Sequence, residues 1–382
     1  MIKRRSLLTL AGLGGAAALL PASPAQASPA SPPCPIDLPA PTVGRPVGTT
    51  SLHLVDHNRL DPFEPASGAR ELMVQLWYPA RTVAGRARAP YLTSRVAAAI
   101  DRYLSLDPGT LARLRPAAHL DAPAHPGPLP LLLLGHGRKG GRSNCTALAE
   151  ELAAHGYLVA AVDHTRDATA VEFPDGRLVY SVLSDDPPSW DAADRLEIAA
   201  RVADLRFVTD QLTSSRMPFS VDGRRIGVLG HSMGGAAAAE ALRQDPRLRI
   251  GLDLDGGLFG SPVPDLGLDR PFLLLTSLHD HDTWQRWREH HHAWGRQLYT
   301  RGAGHLSFTD LPHAAEPGHL ADHLPADACT ALLGTLTPAR ATELTRTYVR
   351  AFADHFLRDR PTPLLAGPSR RYPEVDFRWS LH

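Results

Sequence analysis

The stretch "GVLGHSMGGAAAAEAL", Gly227 to Leu242, constrains this chain more than any other. An apolar run ends in Gly230-His231-Ser232-Met233-Gly234, and an alanine-rich helical pattern follows at once. Glycines on either side of a serine let the backbone turn sharply from strand to helix. The turn lifts the Ser232 hydroxyl above a sheet at a helix N-terminus, where it can attack a carbonyl. A strand that hands over directly to a helix belongs to a layered α/β architecture.

The surrounding sequence repeats that alternation. "ELMVQLWYP", "PLPLLLLGHG", "YLVAAVDH", "RRIGVLGHS", "RIGLDLDGG", "PFLLLTSLHD" and "QLYTRGAGH" read as strands. Asn144 to His155, Asp191 to Thr213, Gly234 to Arg243 and Ala339 to Leu357 carry apolar residues at helical spacing. Strands alternating with helices predict a mostly parallel sheet covered on both faces. The chain has 382 residues and is 43% hydrophobic, enough for one large core. The pattern places a single catalytic domain over residues 43–382, with no repeat and no second domain.

The N-terminal part reads differently. "MIKRRSLLTLAGLGGAAALLPASPAQA" has a charged start, an apolar stretch and a small-residue end, so residues 1–27 are expected to be a signal peptide. Arg4 and Arg5 ahead of Ser6-Leu7-Leu8 resemble a twin-arginine export signal, which predicts a secreted protein. Residues 28–42, rich in Pro, Ala and Ser, are expected to form a flexible leader. Lys plus Arg and Asp plus Glu balance at 40 each, which points away from nucleic acid. Of the three cysteines, Cys145 reads as a small buried residue at the start of a helix, leaving Cys34 with Cys329 as the one candidate disulfide.

A serine needs a base to take its proton, and "TRGAGHLSFTDL" offers His305 just after the last apolar run. His231, inside the turn, reads as a packing residue. Two carboxylates in "RIGLDLDGGLFG" compete for the role of orienting the base. With period-two alternation Asp253 and Asp255 share one strand face, and a buried carboxylate without a partner is costly. Asp255 lies at the carboxyl edge because Gly256 and Gly257 end its strand, whereas Asp253 sits one pleat repeat deeper as a structural hydrogen-bond acceptor. Asp280, after "PFLLLTSL", is the alternative acid. Two backbone N–H groups are expected to face the oxyanion, those of Met233 and of Arg138 in "LLLLGHGRKGG". Arg138 and Lys139 could alternatively bind phosphate through their side chains, but their spacing is not that of a P-loop. His279, His281 and His290 to His292 lack a completing ligand set, so no metal and no cofactor is expected.

Taken jointly, Gly-His-Gly after one strand, the Ser232 turn, "LDG" on the next strand and "GAGHLSFTD" further on resemble the platelet-activating factor acetylhydrolase family of α/β hydrolases. The resemblance runs from about Glu71 to Phe356 and implies an α/β-hydrolase fold with Ser232, Asp255 and His305 as a triad. In that family the acid follows the strand after the turn, and Asp255 stands 23 residues past Ser232. The implied activity is hydrolysis of short or oxidised acyl esters, including phospholipid sn-2 esters, on a small-molecule or lipid substrate. A polyester or cutin hydrolase, a general carboxylesterase, and a non-catalytic binding module are the alternatives. Met233 and Arg138 stand where plasma members look more apolar. "AAEPGHLADHLPADA" is too polar for docking on lipoprotein or membrane to carry over.

Overall fold

The computed structural model describes residues 34–214 and 219–382. Among the described residues the main sheet has ten strands, of which the nine longer are β1 (Val47–Leu60), β2 (Ala69–Pro79), β3 (Leu129–Gly135), β4 (Leu158–Asp163), β5 (Val221–His231), β6 (Leu248–Leu254), β7 (Phe272–Thr276), β8 (Gly295–Thr300) and β9 (Val375–Leu381). Their spatial order is β9-β8-β7-β6-β5-β3-β4-β2-β1, with the short strand His119–Leu120 beyond β1. The six central strands, β4, β3 and β5 to β8, run parallel. The edges β2, β1 and β9 pair antiparallel to their inner neighbours.

The central strands are almost wholly apolar because both of their faces are covered. The helices that flank and cap them are α1 (Ser94–Tyr103), α2 (Thr146–Ala154), α3 (Trp190–Thr213), α4 (Met233–Gln244), α5 (Asp282–His290) and α6 (Pro338–Arg358). Leu132, Leu134, Leu229, Leu252 and Leu273 pack with residues of α2 and α6 on one face. Leu131, Leu133, Val228 and Leu274 pack with α3, α4 and α5 on the other. The alternation Leu131/Leu133 against Leu132/Leu134 is the pleat at work. Helix starts follow capping chemistry: the Ser189 side chain accepts from the Ala192 amide ahead of α3, and Thr337 caps α6 with Pro338 in its first turn. Helix α1 closes over the carboxyl edge through Ala97, packed with Leu106, Leu111, Leu114 and Leu320.

The structure departs from the sequence reading in four places. β1 and β9 were not anticipated, because edge strands are half solvated and carry His, Asp, Arg and Ser in place of a clean apolar run. The stretch from Thr165 to Ser189, which shows no periodicity, contains the hairpin Ala170–Glu172 with Leu178–Tyr180. Residues 34–42 are not a free leader. Ile36–Asp37 pairs with Leu114–Arg115, Leu38 is buried, and Arg346 donates to the Pro39 and Ala40 carbonyls at 2.6 and 2.9 Å. Glu151 accepts from the Thr42 amide and hydroxyl at 2.7 and 2.6 Å. A segment without apolar periodicity is thus held by its backbone groups, which meet charged side chains that are themselves buried. Finally, Cys34, Cys145 and Cys329 are all free thiols, so the expected Cys34–Cys329 bond is not formed. Cys145 is buried at the foot of α2, as its sequence position implied. The expected signal peptide, residues 1–27, lies outside the described residues.

Candidate active site

One residue separates β5 from α4, and that residue is Ser232. Its backbone sits at φ 55°, ψ −123°, a strained region for a residue with a Cβ, and its amide donates to the Leu254 carbonyl at 2.9 Å. Glycines make the turn possible by close approach. A Cβ on Gly234 would overlap the Gly135 backbone, and one on Gly235 would overlap the Asp253 carboxyl group. The Ser232 side chain borders a cavity of about 180 Å³, together with His231, His305, Gly137 and Arg138. Its apolar wall includes Tyr91, Leu92, Ile100, Tyr103 and Leu306.

The two aspartates of β6 part company at the strand end. Asp255 adopts φ 61° and leaves the pleat, so it does not continue the alternation that would set it beside Asp253. Its Oδ2 accepts from His305 Nδ1 at 2.8 Å and from the Ser277 hydroxyl at 2.7 Å, and its Oδ1 accepts from the Ser277 amide at 2.6 Å. Three donors thus converge on one buried carboxylate. In the tautomer that donates Nδ1–H to Asp255, Nε2 of His305 carries the lone pair.

Asp253 has the opposite environment. It is fully buried, one oxygen accepts from the Gly256 amide at 2.8 Å, and Oδ2 has no partner among the described residues. Burial pushes its carboxyl group well above the ordinary carboxylate range, and the nearby Asp255 charge pushes the same way. The site of Asp253 thus favours its protonated form. Asp280 lies elsewhere, on an exposed loop where it pairs with Arg288 at 2.9 Å and Gln285 at 2.9 Å.

His231 packs against the base with ring centroids 4.6 Å apart, and its Nε2 donates to the His305 carbonyl at 2.8 Å. Burial, reinforced by His305, pushes His231 down to about 3, so it stays neutral and serves as a spacer that fixes the His305 loop.

The turn after β3 carries Arg138. Its neighbours are clamped from beneath by Arg201 of α3, which is wholly buried. Arg201 donates to both oxygens of Asp167 at 2.7 and 2.8 Å and to the carbonyls of His136 and Gly137. Asp167 in turn accepts from the Lys139 amide at 3.2 Å. Between these fixed points the Arg138 amide has no backbone acceptor among the described residues, and Met233, as the first residue of α4, has no intrahelical one. The Arg138 side chain is occupied by Glu197 at 3.0 Å and the Ser184 carbonyl at 2.8 Å, and Lys139 by Asp185 at 2.6 Å. Neither cation is left free for a phosphate.

Sequence reasoning missed Ser277, Arg201 and Asp167. No motif marks them, since each acts only through a contact closed by the fold. The histidine-rich segment disperses: His281 Nδ1 engages Thr283, His290 Nδ1 the Arg286 carbonyl and His291 Nε2 the Trp294 carbonyl. No group of three or more His, Cys, Asp or Glu side chains could hold a metal among the described residues.

Residues 68–174 and 196–324 match the family described as platelet-activating factor acetylhydrolase, isoform II. The chain is similar to a probable 1-alkyl-2-acetylglycerophosphocholine esterase of Arthroderma benhamiae, 31% identical over 268 residues. That alignment covers 65% of this chain and 66% of the fungal one. A platelet-activating factor acetylhydrolase of Cavia porcellus is 30% identical over 159 residues, 34% of this chain and 35% of that one. The chain therefore spans just under two thirds of the fungal relative and about a third of the guinea pig relative. Among solved structures, the ferulic acid esterase from Streptomyces cinnamoneus superposes with a TM-score of 0.82 at 42% identity, over 89% of this chain and 98% of that one. The likeness identifies the architecture as the α/β-hydrolase fold.

The neutral state of Asp253 generates a test of stability against pH. Its folded-state pKa is raised, so the stability it contributes is full below the unfolded carboxylate value, about 4, and is lost as pH rises toward the folded value. Asp253→Asn mimics the protonated group. Thermal unfolding from pH 4 to 9 is expected to show the native chain losing Tm with pH more steeply than the variant. Parallel profiles would mean that Asp253 is ionised in the folded protein.

Proposed function

Because this chain belongs to the platelet-activating factor acetylhydrolase isoform II family, we propose that it is a carboxylic ester hydrolase working through Ser232, His305 and Asp255. The observation that carries the reading is the 2.8 Å contact from His305 Nδ1 to Asp255, made beside a cavity that Ser232 and His305 both border. Ser232 Oγ attacks the ester carbonyl carbon while His305 Nε2 takes its proton, and Asp255 stabilises the imidazolium that forms. The Arg138 and Met233 amides receive the negative charge that develops on the carbonyl oxygen. Collapse of the tetrahedral intermediate expels the alcohol, protonated by His305. Water, deprotonated by the same imidazole, then cleaves the acyl-Ser232 ester.

The apolar wall of the cavity suits the acyl group, and its small volume favours short or oxidised chains over long ones. A second reading is an ester of a hydroxycinnamic acid. It rests on the 42% identity to a ferulic acid esterase, matched over nearly the whole of that chain. The N-terminal sequence supports export by the twin-arginine route.

Kinetics on purified variants test the mechanism. Ser232→Ala is expected to remove ester hydrolysis by several orders of magnitude with the fold intact by circular dichroism. Asp255→Asn should lose on the order of a thousandfold or more in kcat/KM, and Asp280→Asn little. The reverse order for the two aspartates would move the acid to the loop after β7. Arg201→Lys keeps a charge but not the fork that clamps the turn after β3. It is expected to lower kcat about 10- to 100-fold with KM little changed, in line with a displaced oxyanion donor. A rise in KM alone would remove Arg201 from that role.

A substrate panel separates the acyl readings. Short p-nitrophenyl esters and sn-2 acetyl phospholipid should be cleaved faster than long-chain triglyceride. A higher kcat/KM for methyl ferulate than for the acetyl phospholipid would favour the second reading. For localisation, the exported protein should begin after Ala27, as N-terminal sequencing would read, and export should fail when Arg4 and Arg5 are replaced by Lys. Undiminished export of that variant would exclude the twin-arginine route.

A further inference from the structure

The catalytic groups gather at the carboxyl edge of the parallel strands, and the opposite edge carries a concentration of positive charge that ester hydrolysis does not use. A cleft of about 600 Å³ opens there between the start of β3, the turn before β4, the start of β5 and the end of α6. Arg45, Arg225, Arg358 and Arg360 line it, and no carboxylate does among the described residues. Gly156 forms the floor: a Cβ placed on it would lie 3.0 Å from Arg358 Nη2 and 3.2 Å from Arg45 Nη1, so two guanidinium groups converge over one glycine.

Arg358 is held rigidly. It donates to the His155 and Gly156 carbonyls at 2.6 and 2.5 Å and lies 4.0 Å over the Tyr157 ring. Asp222 pairs with Arg225 at 2.6 Å and Asp354 approaches Arg358 at 3.6 Å, but Arg45 and Arg360 make no ion pair among the described residues. The two imidazoles at the cleft are engaged, His155 with Glu151 at 2.9 Å and His125 with the Pro126 carbonyl at 3.0 Å. Two guanidinium charges are thus left uncompensated. Burial, with the repulsion of Arg360 and Arg225 added, pulls Arg358 below its ordinary value against the opposing pull of Tyr157 and Asp354. Arg45 and Arg360 are exposed, and the charges of Arg360 and Arg225 act on Arg358 in the same cleft.

We propose that this cleft binds a multivalent oxyanion of the phosphate class, held by the unpaired Arg45 and Arg360, with the engaged Arg358 and Arg225 adding positive potential around Gly156. Planar guanidinium forks match the geometry of phosphate oxygens. The anion ties the segment leading into β1 to the end of α6, and so stabilises the fold by mass action. It lies about 20 Å from Ser232, the length of a six-residue strand, and leaves the ester chemistry untouched.

Inorganic pyrophosphate is the probe, at ionic strength matched with sodium chloride, on the full chain. The double variant Arg45→Gln with Arg360→Gln removes the two unpaired charges and orphans no carboxylate. Its hydrolysis of p-nitrophenyl acetate, expected to match the native chain, certifies the fold. Pyrophosphate should raise the Tm of the native chain, and titration calorimetry should give one site whose affinity falls about tenfold or more in the double variant. An equal rise in both proteins, or one that chloride reproduces, means an adventitious ion only and overturns the proposal. Vesicles of phosphatidylcholine with phosphatidic acid distinguish the source. Co-sedimentation that pyrophosphate competes away and the double variant loses assigns the phosphate to a lipid headgroup. Pyrophosphate binding without co-sedimentation assigns it to a free phosphate compound. Binding of neither probe overturns the site.

Discussion

The change from strand to helix at a single residue, Ser232, is the constraint on which the site depends. A backbone held at φ 55° stores on the order of 1 to 3 kcal/mol and persists only where its surroundings over-determine it. Here the Ser232 amide is bonded to the end of β6, and α4 is pressed against β3 with no side chain between their backbones at Gly135 and Gly234. That approach brings the turn after β3 to Ser232. It also sets the room above Asp253, where Gly235 lies against the carboxyl group. Ser232, the turn that carries Arg138 and the end of β6 are therefore positioned by one packing event.

Around it the protein separates charge with care. Asp255 and Asp253 are two residues apart on one chain, yet one has three donors and the other a single amide. Burial with so few donors favours the protonated form of Asp253.

The same economy governs the ion pairs beneath the site. Arg201 with Asp167, and Arg70 with Asp61 and Asp204, are shut away from water. Buried pairs add little net stability, but removing one partner costs about 3 to 5 kcal/mol. Their effect is to fix α3 against the loops that follow β3 and β4, and so to fix the direction of the Arg138 amide. The cleft at the far edge departs from this rule, because its arginines outnumber their carboxylates.

Local sequence determined the parts that local chemistry governs. The parallel strands were legible because covering both faces makes them continuously apolar, and the Ser232 turn because its glycines and its flanking strand and helix are contiguous. His305 and Asp255 were legible by their order and by the glycines that mark strand ends. Tertiary structure decided the rest. The edge strands β1 and β9 are half solvated and lack an apolar signature, so only pairing defines them. Residues 34–42 are ordered by Arg346 and Glu151, more than 100 residues away in sequence. The roles of Asp253, Ser277, Arg201 and Asp167 depend on which groups share a buried space, and no pattern in one chain segment encodes a charge environment assembled from several.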